Sequence, residues 1–169
     1  MANTFVKIAS TTVGSGGAAT IDFTSIPSTY TDLCLKVSAR GNYAGVGGTL
    51  KIEFNGSTSN LSSRLLEGSG SSAYSFSGST TLQIAGGTNA NNTASTFGNA
   101  DFYIPNYAGS TNKSVSIDGT GENNATENYQ GLTAGLWSNT AAITSIKLII
   151  VAANFVQYST AYLYGVKNA

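Results

Sequence analysis

The 169-residue chain is long enough to bury one hydrophobic core, and its composition is poor in ionic groups. Charged residues make up 9% of the sequence, against about 25% in a typical soluble protein, and eight basic residues balance eight acidic ones. This neutrality argues against a surface for nucleic acid or for membrane lipid, and the sequence contains no histidine, the commonest general base.

Alternating apolar and polar residues predict short β-strands in the first third of the chain. Residues 31–40 give the clearest pattern, with four apolar side chains on one face and Asp32, Lys36 and Arg40 on the other. The single cysteine, Cys34, alternates with its leucine neighbours, so we expect it to be a small packed side chain. Further strands are predicted at residues 5–9, 19–23 and 50–54.

The middle of the chain changes character and is predicted to be a loop-rich insertion over residues 57–99. Short apolar islands are separated there by Ser, Gly, Asn and Thr. We expect short strands and long loops that project from one end of the fold, because a structureless insert of that length is uncommon in a compact domain. The preceding Asn55 and Gly56 favour a tight turn, since both tolerate positive φ. Strand character returns at residues 97–104, 115–118 and 129–137, with a polar loop at 119–128.

The most apolar stretch lies near the C-terminus, over residues 143–151, and a second strand-like run follows at 161–166. The stretch is too short to span a membrane and is rich in β-branched residues, which favours strand over helix. We predict two antiparallel strands joined around residues 154–159 as a hairpin, beside the N-terminal strand. The core candidates are Ile146, Leu148, Ile150, Leu163 and Val166.

About nine predicted strands, glycine-rich turns and no amphipathic helix indicate an all-β protein. We predict a single domain over residues 1–169, built as a two-layer antiparallel β-sandwich with long Gly/Ser/Asn-rich loops. A jelly roll is the leading topology, although the sequence does not determine the strand order.

The sequence offers little for catalysis. No histidine is present to activate Cys34, and no pair of carboxylates stands out as a glycosidase site. Residues 118–124 place oxygen ligands at alternating positions, as calcium would require, but they lack the acidic residues that complete a calcium loop. We therefore predict no enzyme activity, no catalytic residue, no metal and no cofactor.

Four aromatic residues in or near the loop-rich half are candidates for an interaction surface: Tyr74, Phe76, Tyr103 and Tyr107. Tyrosine commonly packs in a core or at a subunit interface. The alternative is that exposed rings stack on the apolar faces of sugars, so that the sequence leaves core packing, a protein interface and a surface glycan open.

Four segments carry a resemblance to a known group of proteins: residues 5–10, 18–27, 30–33 and 163–166, which read FVKIAS, AATIDFTSIP, YTDL and LYGV. These segments resemble small virion-associated proteins of tailed bacteriophages, including phages of aquatic bacteria and cyanobacteria. The resemblance lies in the first forty and the last thirty residues, and residues 57–128 contribute almost nothing to it.

The resemblance implies a non-enzymatic capsid decoration, or cement, protein that binds the major capsid protein and forms a homotrimer on the virion surface. Synthesis in the host cytoplasm is expected, because the N-terminus lacks a signal-peptide pattern. The alternative is a receptor- or carbohydrate-binding module of a tail or head fibre. Because terminal strands are easily added to another sheet, Phe5, Val6 and Lys7 are further contact candidates.

Overall fold

Every regular element among the residues that the structure describes is a β-strand, as predicted from the sequence. The computed structural model describes residues 4–122, 124 and 129–167. Over those ranges no helix is long and apolar enough to cross a membrane. The described residues form twelve strands: β1 (Phe5–Thr12), β2 (Thr20–Phe23), β3 (Asp32–Ala39), β4 (Gly48–Phe54), β5 (Leu61–Gly68), β6 (Ala73–Gly78), β7 (Leu82–Gly87), β8 (Gly98–Ile104), β9 (Lys113–Gly121), β10 (Tyr129–Trp137), β11 (Ile146–Ile150) and β12 (Thr160–Val166).

The strands form two antiparallel sheets that pack face to face. The large sheet has eight strands in the order β1-β12-β3-β8-β9-β10-β5-β6, and the small sheet has four in the order β2-β11-β4-β7. Alternate residues of each large-sheet strand point inward to the small sheet, which explains the alternating burial of β8, β9 and β10. We call the opposite, solvent-facing side of the large sheet its outer face.

Eight of the strands follow the nested pairing of a jelly roll. The first strand pairs with the last, β1 with β12, and the next pair inward is β2 with β11. The nesting continues with β3 against β8 and β4 against β7. Rolling this long hairpin brings β12 beside β3 and β11 beside β4, which produces the two four-stranded halves. The predicted jelly-roll topology is therefore present.

The other four strands extend one half of the jelly roll. β9 and β10 lie between β8 and β11 in the chain, and β5 and β6 lie between β4 and β7. In space all four continue the large sheet beyond β8, where β10 pairs with both β9 and β5. The large sheet is consequently twice as wide as the small one, and β6 is its free edge.

The predicted core residues are buried, but the predicted C-terminal hairpin is wrong. Ile146, Leu148, Ile150, Leu163 and Val166 all lie in the interior. However, β11 is in the small sheet and β12 is in the large one, so the connection around residues 151–159 crosses between layers. Each strand finds its partner far away in sequence, since β12 lies between β1 and β3. The predicted proximity of the N-terminal strand to the C-terminus is confirmed.

The predicted loop-rich insertion contains more regular structure than expected. Residues 57–99 include all of β5, β6 and β7, and the two sheets divide these strands between them. The predicted polar loop at 119–128 begins later than expected, because β9 continues to Gly121. Small polar residues obscured these strands: Ser63 takes an inward, buried position in β5, where an apolar residue is usual. Residues 123 and 125–128 lie outside the described residues.

The turn predicted at Asn55 and Gly56 has the expected backbone, since both residues have positive φ. Its role is to lead the chain from one sheet to the other, because β4 and β5 are in different sheets. The Asn55 side chain holds the turn in place: its Oδ1 accepts hydrogen bonds from the Thr144 and Ser145 backbone N–H groups at 2.8 and 3.0 Å. This polar bridge fixes the entry to β11.

Glycines let the two sheets approach each other where β7 of the small sheet passes beneath β8 and β9. A Cβ placed on Gly119 would lie 2.6 Å from Ile84 Cγ1, and one on Gly98 would lie 2.6 Å from the Gly86 carbonyl oxygen. A hydrogen bond from Thr133 Oγ1 to the Gln83 carbonyl oxygen, 2.8 Å, also joins the layers. β7 is therefore held closely against β8, β9 and β10.

Candidate functional site

The outer face of the added strands carries an open groove of about 490 Å³. The strand register places four residues in one row across it, with Tyr103 on β8 beside Ser116 on β9, then Ala134 on β10 and Arg64 on β5. The two middle side chains are small, so Tyr103 and Arg64 form the walls of a shallow trough. Three strand spacings separate those walls, or about 14 Å. This groove is the candidate site.

Tyr103 is held in place by a hydrogen bond at its far end. Its hydroxyl donates to Asp32 Oδ2 at 2.6 Å, and Asp32 Oδ1 accepts from the Asn106 backbone N–H at 2.8 Å. The hydrogen bond to Asp32 raises the pKa of Tyr103, because the neighbouring carboxylate disfavours the phenolate. The ring therefore remains neutral and oriented near pH 7 while part of it faces solvent.

A pair of exposed leucines adjoins the groove. Leu66 on β5 and Leu132 on β10 face each other directly in the register, and they are 63% and 54% exposed. Paired leucines on adjacent strands give a continuous apolar surface, unlike an isolated exposed leucine. A contiguous apolar patch of this kind is typical of a contact surface.

Two of the predicted aromatic candidates lie on the free edge of the large sheet. Tyr74 and Phe76 on β6 stack with ring centroids 6.1 Å apart, and they are 44% and 53% exposed. They pair with Glu67 and Leu65 of β5, which places them on the inward side of the sheet, away from the groove. Phe76 borders a pocket that Gln83 and Ala85 of β7 also line, and both rings remain about half exposed to solvent.

The prediction that Tyr107 belongs to an exposed aromatic surface is wrong. Tyr107 is fully buried, and its hydroxyl donates to the Pro27 carbonyl oxygen. Its own carbonyl accepts from the Ile143 backbone N–H at 3.0 Å, so the residue closes one end of the core. Burial raises the pKa of the Tyr107 hydroxyl. The packing alternative considered for the aromatics applies to this residue.

The N-terminal contact candidates lie at the opposite edge of the large sheet. Phe5 and Lys7 are exposed and Val6 is half-buried, and all three belong to edge strand β1. Seven strand spacings separate β1 from β6, which corresponds to roughly 33 Å along a flat sheet. The structure thus divides the predicted interaction residues among two separate edges and the groove.

The titratable groups of the described chain form no evident reaction centre. Cys34 is buried, as predicted, and burial raises the pKa of its thiol, which keeps the weakly nucleophilic protonated form. Burial also raises the pKa of Glu67. No cluster of three or more His, Cys, Asp or Glu residues suited to a metal occurs in the described ranges, and Asp118 lies within β9 instead of a chelating loop.

Two cations serve as supports for loops. Arg40 donates to the carbonyl oxygens of Ala90, Asn92, Thr93 and Thr96 at 2.9–3.2 Å, which fixes the segment that leads into β8. Lys113 is fully buried and donates to the carbonyl oxygens of Gly109, Thr111 and Thr140. Burial lowers the pKa of both cations. Since backbone carbonyls bind these two groups, we assign them structural roles.

Leu66 and Leu132 were not predicted from the sequence as part of a site, although a signal was present. Leu65 and Leu66 are adjacent on one strand, so one of them has to face away from the core. Leu132 lies between Gly131 and Thr133, two small residues that face inward onto β7. An outward leucine flanked by small inward residues is the pattern that identifies the patch.

Comparison of the chain with protein-family models, with curated proteins and with solved structures finds no match. The resemblance to virion-associated proteins therefore stays a prediction based on the four segments.

Proposed function

We propose that the chain is a non-enzymatic structural protein of a phage virion, which decorates the capsid by binding the major capsid protein. One observation carries the proposal: the apolar outer-face patch of Leu66 and Leu132 lies on strands added to the jelly roll. The inward side chains of β5, β9 and β10 join the common core, and their outer face widens the large sheet into a platform for contact with another protein.

The chemistry of that platform suits attachment through apolar contact and hydrogen bonds. Leu66, Leu132 and Tyr103 are each more than two-fifths exposed, while Ser114 and Ser116 offer hydroxyl groups between them. Few ionic groups would need to be dehydrated when this face meets a partner, because 9% of the chain is charged. Arg64 is the cation within the groove, and it contributes one ionic contact at most.

We predict that salt alone leaves the protein on its particles. At about 1 M NaCl the screening length falls to roughly 3 Å, which weakens surface ion pairs but spares apolar contacts. Moderate urea solvates apolar and peptide groups and is expected to remove the protein. The measurement is quantitative mass spectrometry of purified virions before and after each wash, with the major capsid protein as the internal reference.

The paired variants Leu132→Ser and Leu136→Ser separate a contact role from a structural one. Leu132 is exposed within the patch, whereas Leu136 is a half-buried leucine further along β10. Loss of particle binding in the first variant and retention in the second would support the proposal. Release of the wild-type protein by NaCl alone, or its absence from purified particles, would contradict it. The homotrimer implied by the resemblance remains a separate prediction, which light scattering can check.

A second candidate function is saccharide binding in the same groove, as in a receptor-binding fibre module. The observation that favours it is the anchored Tyr103 ring, which stands beside hydroxyl groups and opposite Arg64. A fixed aromatic face with nearby polar groups can stack on a pyranose ring. Retention on immobilised host surface polysaccharide, lost in Tyr103→Ala and kept in Leu136→Ser, which lies outside the groove, would favour this candidate over capsid attachment.

A further inference from the structure

Strand β6 is an exposed edge that lacks the usual protection against pairing. Its residues 73–77 are exposed on both sides of the strand, and its sequence AYSFSG contains neither charge nor proline. Its pairing with β5 is continuous, without a bulge. Edge strands of monomeric proteins usually carry a charge, a proline or a bulge, because their unpaired N–H and C=O groups can otherwise bind another chain.

The other three sheet edges are each protected. β1 carries Lys7 and a bulge between Lys7 and Ala9, which interrupts a regular hydrogen-bonding edge. β2 has four residues and includes the exposed Asp22. β7 lies under the large sheet, and its Gln83 carbonyl already accepts from Thr133. Among the sheet edges of the described chain, β6 is therefore the one whose backbone is open to hydrogen bonding with a strand of another chain.

We propose that β6 pairs with β6 of a second copy of this chain, antiparallel and about a twofold axis at Ser75. The two large sheets then continue as one sheet across the contact. Self-pairing is chemically suited to this strand, because it places no like charges opposite each other and buries two aromatic rings from each copy. A copy of the same chain always supplies a strand of matching length and polarity.

The side-chain pattern selects the register. Directly opposite residues in an antiparallel pair lie on the same face of the sheet, so the inward faces of the two copies stay continuous when Ser75 lies opposite Ser75 of the second copy. In that register Tyr74 of each copy faces Phe76 of the other, on the inward side. Two cross-strand aromatic pairs result, and such pairs stabilise sheets. A shift by two residues would place either Tyr74 opposite Tyr74 or Phe76 opposite Phe76 of the second copy, which leaves one directly opposed aromatic pair instead of two.

A thiol at the twofold axis tests the register. In a Cys34→Ser background, Ser75→Cys places two thiols directly opposite each other, with Cα atoms about 4.5–5.5 Å apart. That separation is within the range of disulfides. The matched control is Ser77→Cys on the same face of β6, whose Cα would be about 13 Å along the strand from its copy. Mild oxidation should link Ser75→Cys into dimers and leave Ser77→Cys unlinked.

A charge at the same position tests the pairing without a covalent bond. Ser75→Lys sets two ammonium groups opposite each other and should halve the mass measured by light scattering at tens of micromolar protein, whereas Ser77→Lys should leave it unchanged. Mixing Ser75→Lys with Ser75→Glu should restore the wild-type mass. Halving is also expected if each β6 contact joins two trimers, so the readout does not depend on the predicted homotrimer.

Any of the following results would overturn the proposal. A wild-type monomer, a mass unaffected by Ser75→Lys, or equal oxidation of the two cysteine variants would exclude the twofold contact. A lower mass for Ser75→Lys without a Ser75→Cys crosslink would show that β6 pairs with a different strand or in a different register, and would exclude the twofold axis at Ser75. The proposal does not rest on capsid attachment, because every measurement uses the purified protein in solution.

Discussion

Deleting residues 160–169 is expected to yield a chain that does not fold. β12 lies between β1 and β3, so its removal leaves β1 without a strand partner and β3 paired with β8 alone. The deletion also takes Ala161, Leu163 and Val166 out of the core. A domain of this size is stabilised by about 5–15 kcal/mol in total, less than the loss of a central strand. Residues 168–169 lie outside the described residues, and no structural role is assigned to them.

The measurement is soluble yield together with the cooperativity of thermal unfolding followed by circular dichroism. Within the intact strand, Leu163→Ala should destabilise the protein by about 2–5 kcal/mol, because a fully buried leucine leaves a cavity. Tyr162→Ala on the same strand is the control, since Tyr162 points to the outer face and should matter much less. A soluble deletion variant with an unchanged melting temperature would rule out the central position of β12.

The sequence predicted strands well where one face is buried and the other is exposed to solvent. Residues 31–40 show this clearly, because Leu33, Leu35 and Val37 face the core while Lys36 faces solvent and pairs with Asp101 at 2.6 Å. The sequence predicts short strands within residues 57–99 but gives no bounds for β6, for the same physical reason. Both of its faces are exposed, so its side chains need not alternate in burial. Alternation of apolar and polar residues arises when one face of a strand is buried, so a strand without a buried face gives a weak sequence signal.

The strand partners and the site could not be predicted, because both depend on contacts between residues that are far apart in sequence. The apolar run that became β11 fits a hairpin with β12 as well as it fits a place between β2 and β4, since either arrangement buries Leu148. Tyr107 follows a Pro-Asn turn and resembles a surface residue until Pro27 and Ile143 enclose it. The groove likewise needs β5 beside β10, a pairing that local patterns do not encode.

Adding one methyl group at Gly98 is expected to destabilise the protein by about 2–3 kcal/mol, and Gly98→Val by more. The Cβ of Gly98→Ala would lie 2.6 Å from the Gly86 carbonyl oxygen and 2.7 Å from the Gly87 Cα. Both obstacles are backbone atoms of β7, so no side chain can rotate away. The two sheets would have to separate at the point where β7 passes beneath the start of β8. Urea unfolding measures the cost through the midpoint of the transition.

Gly68→Ala is the matched control, because it is the same chemical change at another strand glycine of the large sheet. A Cβ on Gly68 meets nothing within 4 Å, and replacing a strand glycine by alanine removes backbone freedom from the unfolded chain. Gly68→Ala should therefore be neutral or slightly stabilising, while Gly98→Ala loses stability. Equal midpoints for the two variants would mean that the sheets are further apart at Gly98 than the structure places them. β8, β9 and β10 form the floor of the groove and pack on β7. Gly98→Ala should therefore also lower the affinity of any partner that binds in the groove, whereas Gly68→Ala should leave that affinity unchanged.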